Sequence, residues 1–98
     1  MIPGYRLSEE AQNDLSEISR YTRENWGNKQ AKHYLVELAA GFENLSNSPK
    51  LGKAREEIEK GLRSFSVARH IIFYRTVTDC IEVARVLHAS MDIKRHLT

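Results

Sequence analysis

The run from His70 to Asp92 limits what this chain can fold into more than any other part of it. It reads His70-Ile71-Ile72-Phe73-Tyr74-Arg75, a short turn, then Arg85-Val86-Leu87-His88-Ala89-Ser90-Met91-Asp92. β-Branched and aromatic residues fill both halves, as strands favour. A two-residue turn at Thr78 and Asp79 would set Val77 opposite Cys80, Arg75 opposite Glu82, Phe73 opposite Ala84 and Ile71 opposite Val86. The facing charges of Arg75 and Glu82 support this register by about 0.2–1 kcal/mol. One face then carries Ile71, Phe73, Ala84 and Val86, with Arg69, Arg75, Glu82 and His88 around them. The other carries Ile72, Tyr74, Ile81, Val83 and Leu87, with His70 and Arg85. Both faces are apolar, and each needs a cover.

The rest of the chain supplies one. Tyr5-Arg6-Leu7 predicts a short strand, and Ser8 predicts a helix N-cap followed by Glu9 and Glu10 at the positive end of the helix dipole. Ala11, Leu15, Ile18 and Thr22, with Tyr21 beside them, form the stripe of an amphipathic helix that Trp26 closes and Gly27 ends. Asn28 is placed to cap a second helix with Ala31, Tyr34, Leu35, Leu38, Phe42 and Leu45 on one face. Ser46-Asn47-Ser48-Pro49 stops it, because proline lacks the amide donor. So short a connection makes an αα-hairpin. Trp26, Tyr34 and Phe42 are expected in the core. Lys50 to Gly61 reads as irregular, with a helical turn at Glu56 to Lys60. Three strands follow, over Leu62–Val67, Arg69–Val77 and Cys80–His88, and a short terminal helix capped by Ser90 or Asp92.

The expected architecture is α+β: an N-terminal strand, the αα-hairpin, a three-stranded antiparallel meander and a short C-terminal helix. It forms one domain over residues 1–98. The hairpin covers one sheet face, and the other is left as a patch of the kind that marks an interaction site.

Bulk properties exclude several classes. With 41% hydrophobic and 29% charged residues the chain is an ordinary globular one. A formal charge of +2 is well below what dedicated nucleic-acid binders concentrate, so no direct sequence-specific nucleic-acid binding is expected. The single Cys80 excludes an internal disulfide and a cysteine metal knuckle, and fits a reducing cytoplasm. No apolar run reaches the roughly 20 residues of a membrane span, and Met1-Ile2-Pro3-Gly4 lacks a signal-peptide pattern. A cytoplasmic protein with no membrane association is expected.

Several small constellations invite chemistry. His88, Asp92 and His96 would align as metal ligands on one helix, but His88 belongs to a strand, so no metal is expected. His33 reads as solvated, and Cys80 as a packing residue with no histidine to activate it. Arg63, directly after Gly61-Leu62, reads either as a surface partner of Glu56, Glu57 or Glu59 or as a binding anchor. Lys94-Arg95-His96 can complement a helix C-terminus.

The whole pattern resembles the ParE branch of the RelE/ParE toxin superfamily. The resemblance is carried by Tyr5-Arg6-Leu7-Ser8, Ala11, Asp14-Leu15, Ile18, Trp26-Gly27, Gln30-Ala31 and Tyr34. It continues through Pro49, Gly52, Gly61, Arg63-Ser64, His70 to Arg75, and Arg85-Val86-Leu87-His88. It implies a toxin that inhibits DNA gyrase without a cofactor and is neutralised by the C-terminal arm of a ParD-like antitoxin. On that resemblance Arg63, Ile72, Tyr74, Arg85 and Leu87 are expected to meet the antitoxin, and Lys94, Arg95 and His96 the target. The same superfamily holds RelE-like ribosome-dependent ribonucleases. Here that alternative would use His88 or Glu82 as base and Arg69 and Arg75 as the phosphate clamp. The bland alternative is that Arg75 and Glu82 neutralise each other and His88 merely ends its strand.

Overall fold

One hydroxyl joins the two halves of the fold. In the computed structural model, which describes residues 4–91 and 96–97, Ser8 Oγ accepts the Ala11 N–H at 3.0 Å and donates to Ala84 O at 2.7 Å. The expected N-cap therefore also ties the helix start to a strand 76 positions away. The elements run β1 (Tyr5–Leu7), α1 (Glu9–Trp26), α2 (Asn28–Asn47), β2 (Lys53–Ala54), β3 (Arg63–Val67), β4 (His70–Thr76) and β5 (Ile81–His88).

The helical hairpin turns on one residue. Gly27 adopts φ 93° and ψ 168°, a region essentially closed to residues with a Cβ. Its N–H donates to Arg23 O, ending α1, and its carbonyl accepts from Ala31, starting α2. Gly27 is thus both the C-cap of α1 and the N-cap of α2, a correction to the expected role of Asn28. With both jobs done by one backbone unit, no side-chain cap is needed.

The sheet has five strands in the order β1-β5-β4-β3-β2. The β3–β4–β5 meander is antiparallel as expected, while β1 lies parallel to β5, so the sheet is mixed. The fifth strand, β2, pairs Lys53 with Ser64 and Ala54 with Arg63, and arises within the segment expected to be irregular. Beyond it, the Glu59 N–H reaches Arg55 O, giving the single helical turn read around Glu56 to Lys60. The C-terminal helix expected after Ser90 lies largely at positions outside the described residues.

The β4–β5 register follows the charges only half-way. Thr76 faces Ile81, Arg75 faces Glu82 and Tyr74 faces Val83, but Phe73 then faces Arg85. Ala84 is the extra residue of a bulge, so the expected Phe73–Ala84 and Ile71–Val86 pairs are replaced by Phe73–Arg85 and Ile71–Leu87. Because side chains alternate, a one-residue slip exchanges faces. Val86 joins Ile72, Tyr74, Ile81 and Val83, and Leu87 joins Phe73 and Ile71.

The helices cover the face holding Ile72 and Tyr74, packing Ala11, Ile18, Leu38, Phe42 and Leu45 against it. The face whose Ile72 and Tyr74 the resemblance set against an antitoxin arm is thus the covered one, not the open one. Nor is the opposite face bare. Leu62, Phe73 and Leu87 are buried there, with Ile58 from the 55–62 turn and Leu97 from the C-terminal end packed against them. A loop and a chain end supply the second cover that helical periodicity could not reveal.

Tyr74 and Arg63 hold the loop that leads into the sheet. The buried Tyr74 hydroxyl donates to Pro49 O at 2.8 Å and accepts the Gly52 N–H at 2.9 Å. A Cβ on Gly52 would stand 2.5 Å from that hydroxyl and 2.7 Å from Ser64 O, so only glycine fits. Arg63 donates through Nε and Nη2 to Gly52 O at 3.1 and 2.7 Å, and through Nη2 to Lys50 O at 3.2 Å. The expected surface pairing of Arg63 with a nearby glutamate is therefore replaced by backbone contacts. Glu57 pairs with Arg55, Glu59 with Arg75, and Glu56 accepts the Gly61 N–H.

Candidate functional site

The hairpin leaves a groove along each of its flanks. At 3.6 residues per turn, Leu15, Ser19 and Arg23 lie on one flank of α1, and Glu17, Tyr21 and Glu24 on the other. The first groove, about 590 Å³, runs between the hairpin and β1 and is lined by Leu7, Leu15, Leu35, Ala39 and Phe42. Tyr5 stacks at a tilt on Phe42 there, with ring centres 5.3 Å apart. Arg23 is the one charged residue in its lining among the described residues. It opens beside β1, an edge strand of the sheet.

The second groove, about 880 Å³, lies between the opposite flank of the hairpin and the end of the sheet formed by the β3–β4 turn and the end of β5. Its rim carries three of the large apolar side chains exposed on the molecule: Tyr21 (64% exposed), Trp26 (67%) and Met91. Trp26 was expected in the core. Its place in the last turn of α1, rather than its helical phase, is the signal that periodicity passes over. Tyr34, also expected in the core, is half-buried at the wall of this groove.

A chain of polar rings crosses the floor. Tyr34 Oη lies 2.5 Å from His70 Nδ1, and His70 meets His88 edge-on with ring centres 5.2 Å apart. Burial, with the neighbouring His88, pushes the His70 pKa down to about 4 despite the opposing pull of Asp14. Burial likewise raises the Tyr34 hydroxyl above its ordinary value. His88 Nδ1 accepts the Ser90 N–H at 3.1 Å, which places the proton of the neutral ring on Nε2.

These groups do not assemble the ribonuclease set. Arg69 and His88 border the groove, whereas Arg75 sits between Glu59 (3.1 Å) and Glu82 (3.6 Å). Arg69 immediately precedes β4 and Arg75 lies near its other end, six positions on, or about 20 Å at a strand's rise. Glu82 is held at that far end by Arg6 as well as Arg75. The Arg75–Glu82 match expected across the strands is present.

The other residues singled out from sequence are scattered. Ile72 and Tyr74 are buried beneath the helices, and Leu87 beneath Ile58 and Leu97. Arg85 forms a two-pronged pair with Asp14, Nε to Oδ2 at 2.8 Å and Nη2 to Oδ1 at 2.9 Å, which raises its pKa further. Its Nη1 donates to His96 O at 3.0 Å. Lys94 and Arg95, and with them Asp92 of the rejected metal trio, lie outside the described residues. His33 is exposed and bridges to Glu37 at 3.0 Å, and Cys80 is half-buried beside its turn. Among the described residues, no cluster of three or more metal-ligating side chains occurs, and no helix is long and apolar enough to cross a membrane.

Residues 5–93 match the model of the ParE toxin of type II toxin–antitoxin systems, parDE. The chain belongs to the ParE toxin family. Both grooves lie within the matched span of this ParE-family chain. It is 42% identical to Toxin ParE1 of Mycobacterium tuberculosis over 98 residues, covering 99% of this chain and all of that one. It is 40% identical to Toxin ParE1 of Caulobacter vibrioides over 93 residues, covering 95% of this chain and 96% of the relative. Toxin ParE of Escherichia coli is 34% identical over 98 residues, with 98% and 94% covered. A solved structure titled as the chromosomal ParDE TA system from P. aeruginosa superposes with a TM-score of 0.76 at 16% identity, over 87% of this chain and 94% of that one. That likeness shows a shared fold, a helical hairpin against a sheet.

Proposed function

We propose that this ParE-family chain inhibits DNA gyrase by binding it, without chemistry of its own, and that a ParD-like antitoxin neutralises it in the cytoplasm. The observation that carries the reading is the family match over residues 5–93, together with relatives of about 40% identity that bear the ParE toxin name. The separation of Arg69 and His88 from Arg75 and Glu82 favours binding over RNA cleavage, since phosphoryl transfer needs base, acid and cation within reach of one phosphate.

The antitoxin arm is assigned to the apolar groove beside β1. Leu7, Leu15, Leu35, Ala39 and Phe42 suit the apolar face of an arm that folds on binding, and the β1 edge can accept an added strand. Arg23 would pair with an antitoxin carboxylate. Ile72, Tyr74 and Leu87 would become available only if their cover moved, and Arg63 Nε and Nη2 are committed to the chain's own backbone. Lys94, Arg95 and His96 remain assigned to the target.

The test is a supercoiling assay with purified gyrase beside a ribosome-bound messenger RNA cleavage assay. Inhibition of supercoiling with intact RNA is the expected result. RNA cleavage abolished by His88→Ala, with gyrase unaffected, would overturn it. Hydrogen exchange with antitoxin should add protection at residues 5–7 and along the groove-facing flank of the hairpin. Protection confined to the opposite flank would move the arm to the other groove.

A further inference from the structure

The groove bordered by Trp26 has its own chemistry, which the toxin–antitoxin reading does not use. Among the described residues, Glu17, Glu24 and Glu37 line it against two arginines, Arg20 and Arg69. Arg20 is already engaged by both Glu17 and Glu24. The chain as a whole carries a formal charge of +2, so a groove whose described lining is net negative stands against the background field. Among the described residues, the apolar groove on the other flank has Arg23 as its only charge. The two flanks of one hairpin are therefore of opposite sign.

The aromatic content points the same way. Tyr21 and Trp26 are about two-thirds exposed on the rim, with Tyr34 at the wall. Carboxylates beside exposed aromatic faces bind a guanidinium or ammonium twice over, by ion pairing and by cation–π attraction. Tryptophan and tyrosine are also the side chains that most often carry the energy of a protein–protein contact. By contrast a phosphate backbone would meet excess like charge here.

From this charge complementarity we infer that the Trp26 groove is the face presented to the inhibited enzyme, and that its occupant is a cationic segment of that enzyme bearing arginine or lysine. The assignment rests on the gyrase reading. It gives the hairpin two separate customers: the antitoxin on the Arg23 flank and the target on the Trp26 flank.

The experiment compares three full-length chains: wild type, a groove variant (Trp26→Ala, Glu24→Lys, Glu37→Lys) and Arg23→Glu on the opposite flank. All four altered residues are exposed, and circular dichroism checks that each variant folds. Each chain is assayed for inhibition of purified gyrase and for affinity to the ParD-like antitoxin of the neighbouring reading frame. The groove variant should need about tenfold more protein or worse for half-inhibition while antitoxin affinity stays within about threefold. Arg23→Glu should do the reverse. Wild-type inhibition should also weaken as salt rises, as steering between unlike charges requires. A groove variant that inhibits as well as wild type would overturn the assignment and leave the gyrase reading standing. A groove variant that loses antitoxin affinity but still inhibits would give the groove to the antitoxin instead. No inhibition by the wild-type chain would remove the gyrase reading and the assignment together.

Discussion

Asp14 on α1 and Arg85 on β5 meet as a fork, both carboxylate oxygens accepting from one guanidinium, and Asp14 Oδ2 also accepts the Val86 N–H at 2.9 Å. The pair lies where β1 has ended and α1 takes over the flank of β5. Its side chains are only 14% and 22% exposed, so it is desolvated enough to matter. Asp14→Ala should cost about 2–4 kcal/mol, because it strands a guanidinium and a backbone amide together. Urea unfolding of Asp14→Ala, Arg85→Ala and the double variant checks this. A coupling of about 1 kcal/mol or more is expected, and strictly additive losses would show that the fork contributes nothing as a pair.

The loop over β3 should be equally sensitive at a different residue. Gly52→Ala forces a Cβ against both the Tyr74 hydroxyl and Ser64 O, and should cost about 2–4 kcal/mol. Tyr74→Phe leaves the Gly52 N–H and Pro49 O without their partner, for about 1–3 kcal/mol. Thermal unfolding of both would rank them, and wild-type stability in Gly52→Ala would contradict the packing described.

Gly27 carries a conformational rather than a spatial constraint. No atom would lie within 4 Å of a Cβ there, yet its φ of 93° lies outside the range of L side chains. Gly27→Ala should therefore destabilise by about 1–3 kcal/mol through the backbone alone. Chemical denaturation measures it, and a neutral result would mean that the hinge can re-form with ordinary angles.

Acid should loosen the sheet end that holds His70. Its pKa of about 4 in the folded chain lies below the ordinary 6.5, so protons bind the unfolded chain first. The contribution is complete above about pH 6.5 and is lost as pH falls from there toward 4. Because the ring is only half-buried, solvent screening limits the loss to about 1–2 kcal/mol. The groups around it are His88, Tyr34 and Asp14, of which Asp14 acts against the depression. Unfolding free energies measured from pH 7.5 to 4.5 should fall more steeply for wild type than for His70→Asn. Parallel curves would assign the slope to other groups.

The helical half was legible because caps and stripes are local. Ser8, Gly27 and Pro49 bracket the two helices, and Ala11, Ile18, Leu38, Phe42 and Leu45 all reach the core. The hairpin of β4 and β5 was legible only near its turn. Arg75 and Glu82 announce their own pairing, but nothing in the residues around Ala84 marks a bulge, and the faces exchange beyond it. β2 escaped because two residues pair through backbone alone. The second cover escaped because Ile58 and Leu97 are single apolar residues with no periodicity around them. The grooves are tertiary objects, and their opposite charges emerge only when α1 is set against the sheet.

The parallel pairing of β1 with β5 also makes closure of the sheet a non-local event. Among the described residues, residues 5–7 find their strand neighbour only in residues 81–83, with both helices and strands β2 to β4 between them. Bringing two such distant segments together slows folding more than it costs stability. The edge strand beside the apolar groove is therefore the part of the sheet expected to dock last.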